Sequence, residues 1–206
     1  MNYLAHTFLS RATPELLTGG MLGDFVKGRT DGRYSPGVCA GIALHRAIDR
    51  YTDDHPLVRA SRARISPARR RFAGILVDVF YDHFLARHWR SYSEMSLERF
   101  TRHVYGVLWP QRREFPERLQ RMLPWMRAED WLAGYAEIKA VDAALRGMAR
   151  RSRFADRARP LADGVHELAA HYATFERQFQ EFFPQLERFV ADRGDADTWP
   201  HAASAG

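Results

Sequence analysis

The stretch VDVFYDHFLARHW, from Val77 to Trp89, is typical of the central helix of an all-α fold. At about 100° per residue its apolar side chains cover nearly the whole circumference, as in a helix that is buried on all sides. Asp78 and Asp82 lie about 40° apart on one face of this helix, and His83 lies about 100° further round. Because an unpartnered buried aspartate is costly, we expect these polar groups to bind something.

Helices are predicted almost throughout the chain. Apolar residues recur every three or four positions, and no segment shows the strict alternation of a strand. A Ser or Thr followed by Pro marks three helix starts, at Thr13, Ser35 and Ser66. We predict helices at about 2–11, 14–27, 36–52, 56–64, 67–90, 96–109, 117–127, 129–150 and 160–191. The pattern favours one helical domain over 1–193, followed by a tail, 194–206, that we expect to be disordered.

Composition limits the class of protein. The 206 residues are 46% hydrophobic and 27% charged, which is typical of a soluble globular protein. With neither a secretory signal nor an apolar run of about 18 residues, we expect a cytoplasmic protein that does not enter a membrane. The single cysteine, Cys39, excludes an intramolecular disulfide and a thiolate metal cluster. The net charge of +6 favours an anionic partner, either nucleic acid or an acidic protein.

Three further segments place histidine or aspartate on the apolar face of a predicted helix. His45 and Asp49 lie four residues apart in HRAID, Asp24 follows GGMLG, and His6 lies near the start in NYLAH. Imidazole and carboxylate groups together are ligands for Mn, Fe, Zn or Mg, and helical bundles build metal sites from facing helices. Each residue alone is also consistent with an ordinary core group or an ion pair. Their gathering on four helices predicts a metal site.

Several segments resemble the acyl carrier protein phosphodiesterase family: MNYLAH, GGMLGDFVKGR, AGIALHRAIDRYTDDHP and DVFYDHFLARHW. The resemblance continues through EDWLAGY, LRGMARRS and HYATFERQFQEFFP, and so covers nearly the whole chain. It implies a single-domain helical bundle related to the HD phosphohydrolase fold, although the adjacent pair Asp82-His83 stands here in the reverse order. The implied reaction, in fatty acid and lipid metabolism, hydrolyses the phosphodiester that links 4′-phosphopantetheine to the serine of holo acyl carrier protein. The implied cofactor is a divalent cation, with manganese favoured.

This resemblance gives each polar residue an expected role. The candidate metal ligands are His6, Asp24, His45, Asp49, Asp78 and Asp82. His83 is the candidate general base or leaving-group acid, and Arg46 is the candidate phosphate contact. The acidic carrier is expected to dock on the basic run before the central helix, with Arg59, Arg62, Arg64, Arg69 and Arg70 as candidate contacts.

Two other functions stay open at this point. The same metal site would serve a phosphohydrolase that acts on nucleotides. A basic helical protein could instead bind nucleic acid without catalysis, but that function leaves the inward-facing His and Asp residues unexplained. We therefore expect holo acyl carrier protein as the partner, and neither nucleic acid nor a membrane.

Overall fold

The computed structural model describes residues 1–30, 32–151 and 155–193, and within these ranges it contains helices and no strand. The helices are α1 (Tyr3–Leu9), α2 (Pro14–Leu22), α3 (Pro36–Asp54), α4 (Pro56–Arg64), α5 (Ala73–Arg87), α6 (Leu97–Leu108), α7 (Glu117–Ala128), α8 (Trp131–Gly134), α9 (Ile138–Arg151), α10 (Ala155–Ala162), α11 (Val165–Ala170) and α12 (Tyr172–Ala191). Short 3-10 turns lie at Pro67–Phe72, Trp89–Ser91 and Arg112–Glu114. The predicted all-α class is confirmed. The tail predicted at 194–206 lies outside the described residues.

Helix α5 lies at the centre of the core. Phe80, Tyr81 and Phe84 on this helix are fully buried. Helix α12 packs along it through an aromatic face, with 5.4 Å between the ring centroids of Phe80 and Phe175 and 6.0 Å between those of Phe84 and Phe179. Each buried ring of this size contributes about 1.5 to 3 kcal/mol to the stability of the fold. The prediction of an all-round apolar central helix therefore agrees with its position.

Helices α2 and α3 pack backbone against backbone. A Cβ atom at Gly19 would overlap the carbonyl oxygen of Val38, and one at Gly41 would overlap the carbonyl oxygen of Leu16. Only glycine permits so close an approach. The contact sets the end of α2 beside the middle of α3, where His45 lies.

The predicted helix 67–90 begins later than its sequence indicates. Ser66 does not cap a helix; its backbone N–H and its hydroxyl donate to the carboxylate of Glu167 on α11, which also accepts from Arg69. These tertiary bonds hold Pro67–Phe72 as a 3-10 turn, and the α-helix starts at Ala73.

The predicted helices 129–150 and 160–191 are each interrupted. Asp130 adopts a left-handed conformation, with φ of 43°, and its side chain accepts from the N–H of Ala133 to start the short helix α8. Gly164 packs against Leu76, where a Cβ atom would overlap the leucine side chain, and separates α10 from α11. Among the described residues, no helix combines the length and hydropathy that a membrane span requires.

A candidate metal centre

Helices α1 and α3 and the turn after α2 bring His6, His45, Asp49 and Asp24 together. Nε2 of His6 lies 3.1 Å from Asp49 Oδ1, and Nε2 of His45 lies 3.2 Å from Asp49 Oδ2 and 3.7 Å from Asp24 Oδ1. The two imidazole rings stack with 3.6 Å between their centroids. One ligand atom from each of His6, His45 and Asp49 lies within 4.8 Å of the others. We call these four residues the His–Asp cluster.

Backbone contacts orient the ring of His45. Its Nδ1 lies 2.7 Å from the carbonyl oxygen of Gly20. Because a carbonyl only accepts, Nδ1 carries the proton, and Nε2 is directed at the two carboxylates. Gly23 makes room for the ring, since a Cβ atom there would overlap it. A hydrogen bond of this kind at the distal nitrogen is the usual support of a metal-binding histidine.

His6 has polar atoms that the protein does not satisfy. Its side chain is 1% exposed, and neither ring nitrogen makes a hydrogen bond, although Nε2 approaches Asp49 to 3.1 Å. An unsatisfied buried polar group costs about 1 to 3 kcal/mol. A cation between His6, His45 and Asp49 would satisfy Nε2, so the donor set fits a divalent metal.

The carboxylates and the histidines of the cluster shift one another's pKa values and so determine which groups are charged. Burial lowers the pKa of His45, but the hydrogen bonds and charges of Asp24 and Asp49 outweigh burial and raise the pKa to about 9. Burial and the adjacent His45 lower the pKa of His6 to about 4. Burial opposes ionisation of Asp49, yet its contacts with both histidines bring its pKa well below the usual range. Without metal, the cluster at neutral pH therefore holds one imidazolium, on His45.

The carboxylate of Asp82, on α5, caps the start of helix α1 and lies outside the His–Asp cluster. Its Oδ2 accepts from the N–H of Leu4 at 2.7 Å, and its Oδ1 accepts from the N–H groups of Asn2 at 3.3 Å and Ala5 at 3.2 Å. Burial raises the pKa of Asp82 to about 7, against the opposing effect of these N–H groups. Its oxygens are thus engaged in capping a helix, and its role as a metal ligand stays a prediction.

Asp78 is held by charges next to the cluster. Its Oδ1 lies 3.0 Å from the α-amino group of Met1 and 3.9 Å from Nη2 of Arg62. The same amino group lies 4.0 Å from Asp49 Oδ1. Asp78 is therefore linked to Asp49 through the α-amino group of Met1, and its role as a metal ligand stays a prediction. Helical periodicity could not reveal the amino group, because a chain terminus has no pattern.

His83 is not brought to the cluster. Its Nδ1 lies 2.7 Å from the carbonyl oxygen of Tyr135 and must donate to it, and its Nε2 lies 2.9 Å from the hydroxyl of Tyr172, from which it accepts. Burial lowers the pKa of His83. A neutral, buried imidazole with both nitrogens engaged joins α5 to α12 and to the chain after α8. The catalytic role of His83 stays a prediction.

Arg46 binds backbone oxygens. Its Nη2 donates to the carbonyl groups of Val26 and Gly28, at 3.1 and 2.9 Å. The guanidinium thereby ties the turn after α2 to α3, on the side of the turn that carries Asp24. Its predicted role as a phosphate contact stays a prediction.

The predicted docking arginines are largely engaged within the chain. Arg59 pairs with Asp54, Arg62 with Asp53, and Arg69 with Glu167. Arg70 donates to the carbonyl groups of Ile65 and Ala63, and Arg64 is exposed at the end of α4. The prediction that this run docks a carrier protein stays a prediction.

The comparisons with known proteins agree on one family. The family model for acyl carrier protein phosphodiesterase matches residues 1–186. Acyl carrier protein phosphodiesterase of Serratia proteamaculans (strain 568) is 41% identical over 195 residues, which cover 94% of this chain and 99% of the relative. The protein of the same name from Yersinia enterocolitica is 37% identical with the same coverage, and that from Escherichia coli O6:H1 is 36% identical over 90% of this chain and 95% of the relative. No solved structure matches, so the relation to the HD phosphohydrolase fold stays a prediction. The chain therefore belongs to the acyl carrier protein phosphodiesterase family, as its motifs predict.

Proposed function

We propose that the protein is a metal-dependent phosphodiesterase that hydrolyses the bond between 4′-phosphopantetheine and the serine of holo acyl carrier protein. Family membership over residues 1–186 supports the substrate. The convergence of His6, His45 and Asp49 on one point supports the metal, and this geometry is the observation that carries the proposal.

Each residue of the His–Asp cluster would supply a ligand atom to a bound cation. His6 and His45 each offer Nε2, Asp49 offers an oxygen to either side, and Asp24 is close enough to His45 to serve as a fourth ligand. Nitrogen and carboxylate ligands suit Mn²⁺, the metal we expect. Such an ion supplies Lewis acidity toward phosphate oxygens.

The two sides of the cluster differ in access. The histidines are buried, whereas the side chains of Asp24 and Asp49 are 41% and 42% exposed. A substrate must therefore approach from the carboxylate side. The imidazole of His45, held by the carbonyl of Gly20, stays fixed while the substrate exchanges.

The test is to mix the purified protein with holo acyl carrier protein and Mn²⁺ and to follow the mass of the carrier. We expect the carrier to lose its prosthetic group. A folded, metal-loaded protein that leaves the carrier intact would overturn the proposal. Turnover of nucleotides without a carrier would favour the nucleotide phosphohydrolase.

Metal analysis tests the site separately. Replacing both Asp24 and His45 with alanine should abolish bound metal. His103→Ala, at an exposed position on α6, is the matched control and should leave the metal content unchanged. Wild-type metal content in the double variant would refute the assignment.

A further inference from the structure

Asp24 differs from the other members of the His–Asp cluster because it lies on a turn. His6 belongs to α1, and His45 and Asp49 belong to α3, whereas Asp24 follows the last residue of α2, Leu22. Its Oδ1 lies 3.7 Å from Nε2 of His45, and Oδ2 of Asp49 lies closer to the same nitrogen, at 3.2 Å. Turns open more readily than helices, since fewer backbone hydrogen bonds hold them. A ligand at position 24 therefore depends on what fixes its turn.

The start of this turn is attached to α2. The backbone N–H groups of Phe25 and Val26 both donate to the carbonyl of Leu22, at 2.8 and 3.0 Å. The side chain of Val26 is also buried. These contacts join the turn to the helix that precedes it, whereas the nearest ligand, His45, lies on α3.

Arg46 connects the turn to α3. It directly follows His45, and its side chain is half-buried. One of its nitrogens, Nη2, donates to the carbonyl of Val26 at 3.1 Å and to that of Gly28 at 2.9 Å. This nitrogen carries two hydrogens, which allows one for each carbonyl, and bonds from a charged donor are stronger than those between neutral groups. The turn that carries Asp24 is thus bound to the residue next to His45.

Gly28 supplies the backbone conformation that this contact uses. Its φ is 72°, in the left-handed region that glycine adopts at little cost. A Cβ atom at this position would meet no other atom within 4 Å. The glycine is therefore required by the backbone conformation and not by lack of space.

We infer that Arg46 is a positioning residue: through the carbonyls of Val26 and Gly28 it holds Asp24 at the open side of the His–Asp cluster, where Asp24 binds the cation. The cation itself rests on the proposed function. Loss of this role has a distinctive sign. Removing a positive charge near a metal site should strengthen metal binding by electrostatics alone, whereas loss of a positioned ligand weakens it.

The first test measures the affinity for Mn²⁺ by titration calorimetry. Arg46→Met keeps the aliphatic stem but removes the donors, and it should weaken Mn²⁺ binding about tenfold. Arg46→Lys restores a charged donor and should stay within about threefold of the wild type. Arg50→Met, which removes an exposed arginine four residues later on α3, is the matched control and should not weaken binding. Unchanged or tighter Mn²⁺ binding by Arg46→Met would overturn the inference.

A double-mutant comparison shows whether Arg46 acts through Asp24. In an Asp24→Ala background, Arg46→Met should change the Mn²⁺ affinity further by less than about twofold, because the ligand that it positions is already absent. A further tenfold loss in that background would mean that Arg46 acts through another group or through the fold, and the inference would be wrong.

Two glycines in the loop between α2 and α3 offer a test that leaves Arg46 in place. Gly28 and Gly32 both have φ of 72°, and a Cβ atom at either would meet no atom within 4 Å. The carbonyl of Gly28 accepts from Arg46, so Gly28→Ala should weaken Mn²⁺ binding about threefold, whereas Gly32→Ala should change it less than about twofold. Equal affinities of the two variants would contradict the role of this carbonyl.

The same variants separate positioning from a direct contact with substrate. If Arg46 instead contacts phosphate, Arg46→Met weakens the binding of inorganic phosphate to the Mn²⁺-loaded protein but leaves the Mn²⁺ affinity at the wild-type value, and the inference is wrong. If the wild type binds Mn²⁺ but leaves holo carrier intact, the proposed function fails. The inference stands in that case, provided that Arg46→Met weakens Mn²⁺ binding when Asp24 is present and not when it is absent.

Discussion

Binding of Mn²⁺ to the metal-free protein is expected to release about one proton at neutral pH. Nε2 of His45 must lose its proton before it can bind a cation, and the pKa of about 9 keeps this nitrogen protonated until then. His6, with a pKa of about 4, and Asp49, with a pKa well below the usual range, are already deprotonated and release none. The proton count therefore reports on His45 alone.

The size of the pH dependence follows from the same pKa. From about pH 7 to the His45 pKa of about 9, the metal affinity should rise about tenfold per pH unit, which is about 1.4 kcal/mol of binding free energy. Above that pKa the affinity should become constant, because no proton is left to displace.

Titration calorimetry in buffers of different ionisation enthalpy measures the proton count, since the observed heat changes with the buffer in proportion to the protons released. Asp24→Asn removes one of the two carboxylates that raise the pKa of His45, so at about pH 8 the count should fall well below one. Asp142→Asn, a carboxylate paired with Arg146 on α9, is the control. A wild-type count near zero would refute the charge assigned to His45, and a count near two would refute the neutral His6.

Three further changes test the elements that support the site. Because the pKa of His45 is raised from 6.5 to about 9, the metal-free protein should keep this contribution to stability, about 3 kcal/mol, below pH 6.5 and lose it as the pH rises through about 9, as urea unfolding would measure. Asp82→Ala leaves three buried N–H groups at the start of α1 unpaired, so the free energy of unfolding should fall by about 3 to 5 kcal/mol; an unchanged value contradicts the capping role. Gly23→Ala places a methyl group where the His45 ring lies and should weaken Mn²⁺ binding at least about tenfold. In contrast, Gly106→Ala, which meets open space on α6, should leave both metal binding and the fold intact.

Much of the helical layout could be predicted from local chemistry. Thr13 and Ser35 each cap a helix that begins with proline, and both starts are where the sequence predicts them. Ser66-Pro67 has the same pattern, yet it forms a 3-10 turn because Glu167, 101 residues away in sequence, takes both of its donors. Local patterns do not contain such long-range partners.

In the candidate site, too, the sequence pattern predicts where a side chain points but not which group it meets. Periodicity places His6 and His45 on inward faces, where both are buried, and Asp49 one turn after His45 on α3; one ligand atom from each of the three meets the others. The same periodicity places Asp78 and Asp82 together on one face of α5. In the structure, however, Asp82 accepts from N–H groups at the start of α1, and Asp78 lies beside the α-amino group of Met1. The direction of a side chain is a local property, whereas its partner depends on which element packs opposite.

The backbone contact between α2 and α3 at Gly19 and Gly41 bears on which ionic radius the candidate metal site accommodates. With Gly19 and Gly41 in backbone contact, the two helices cannot slide or separate without losing that packing. We therefore expect little change in the spacing between Asp49 on α3 and Asp24 in the turn that follows α2. Rigid sites discriminate between ions by the length of the metal–oxygen bond. If the proposed metal binds here, we expect a small ion that accepts nitrogen ligands to be preferred over a larger one such as Ca²⁺, and a packing contact that touches no ligand to set this preference.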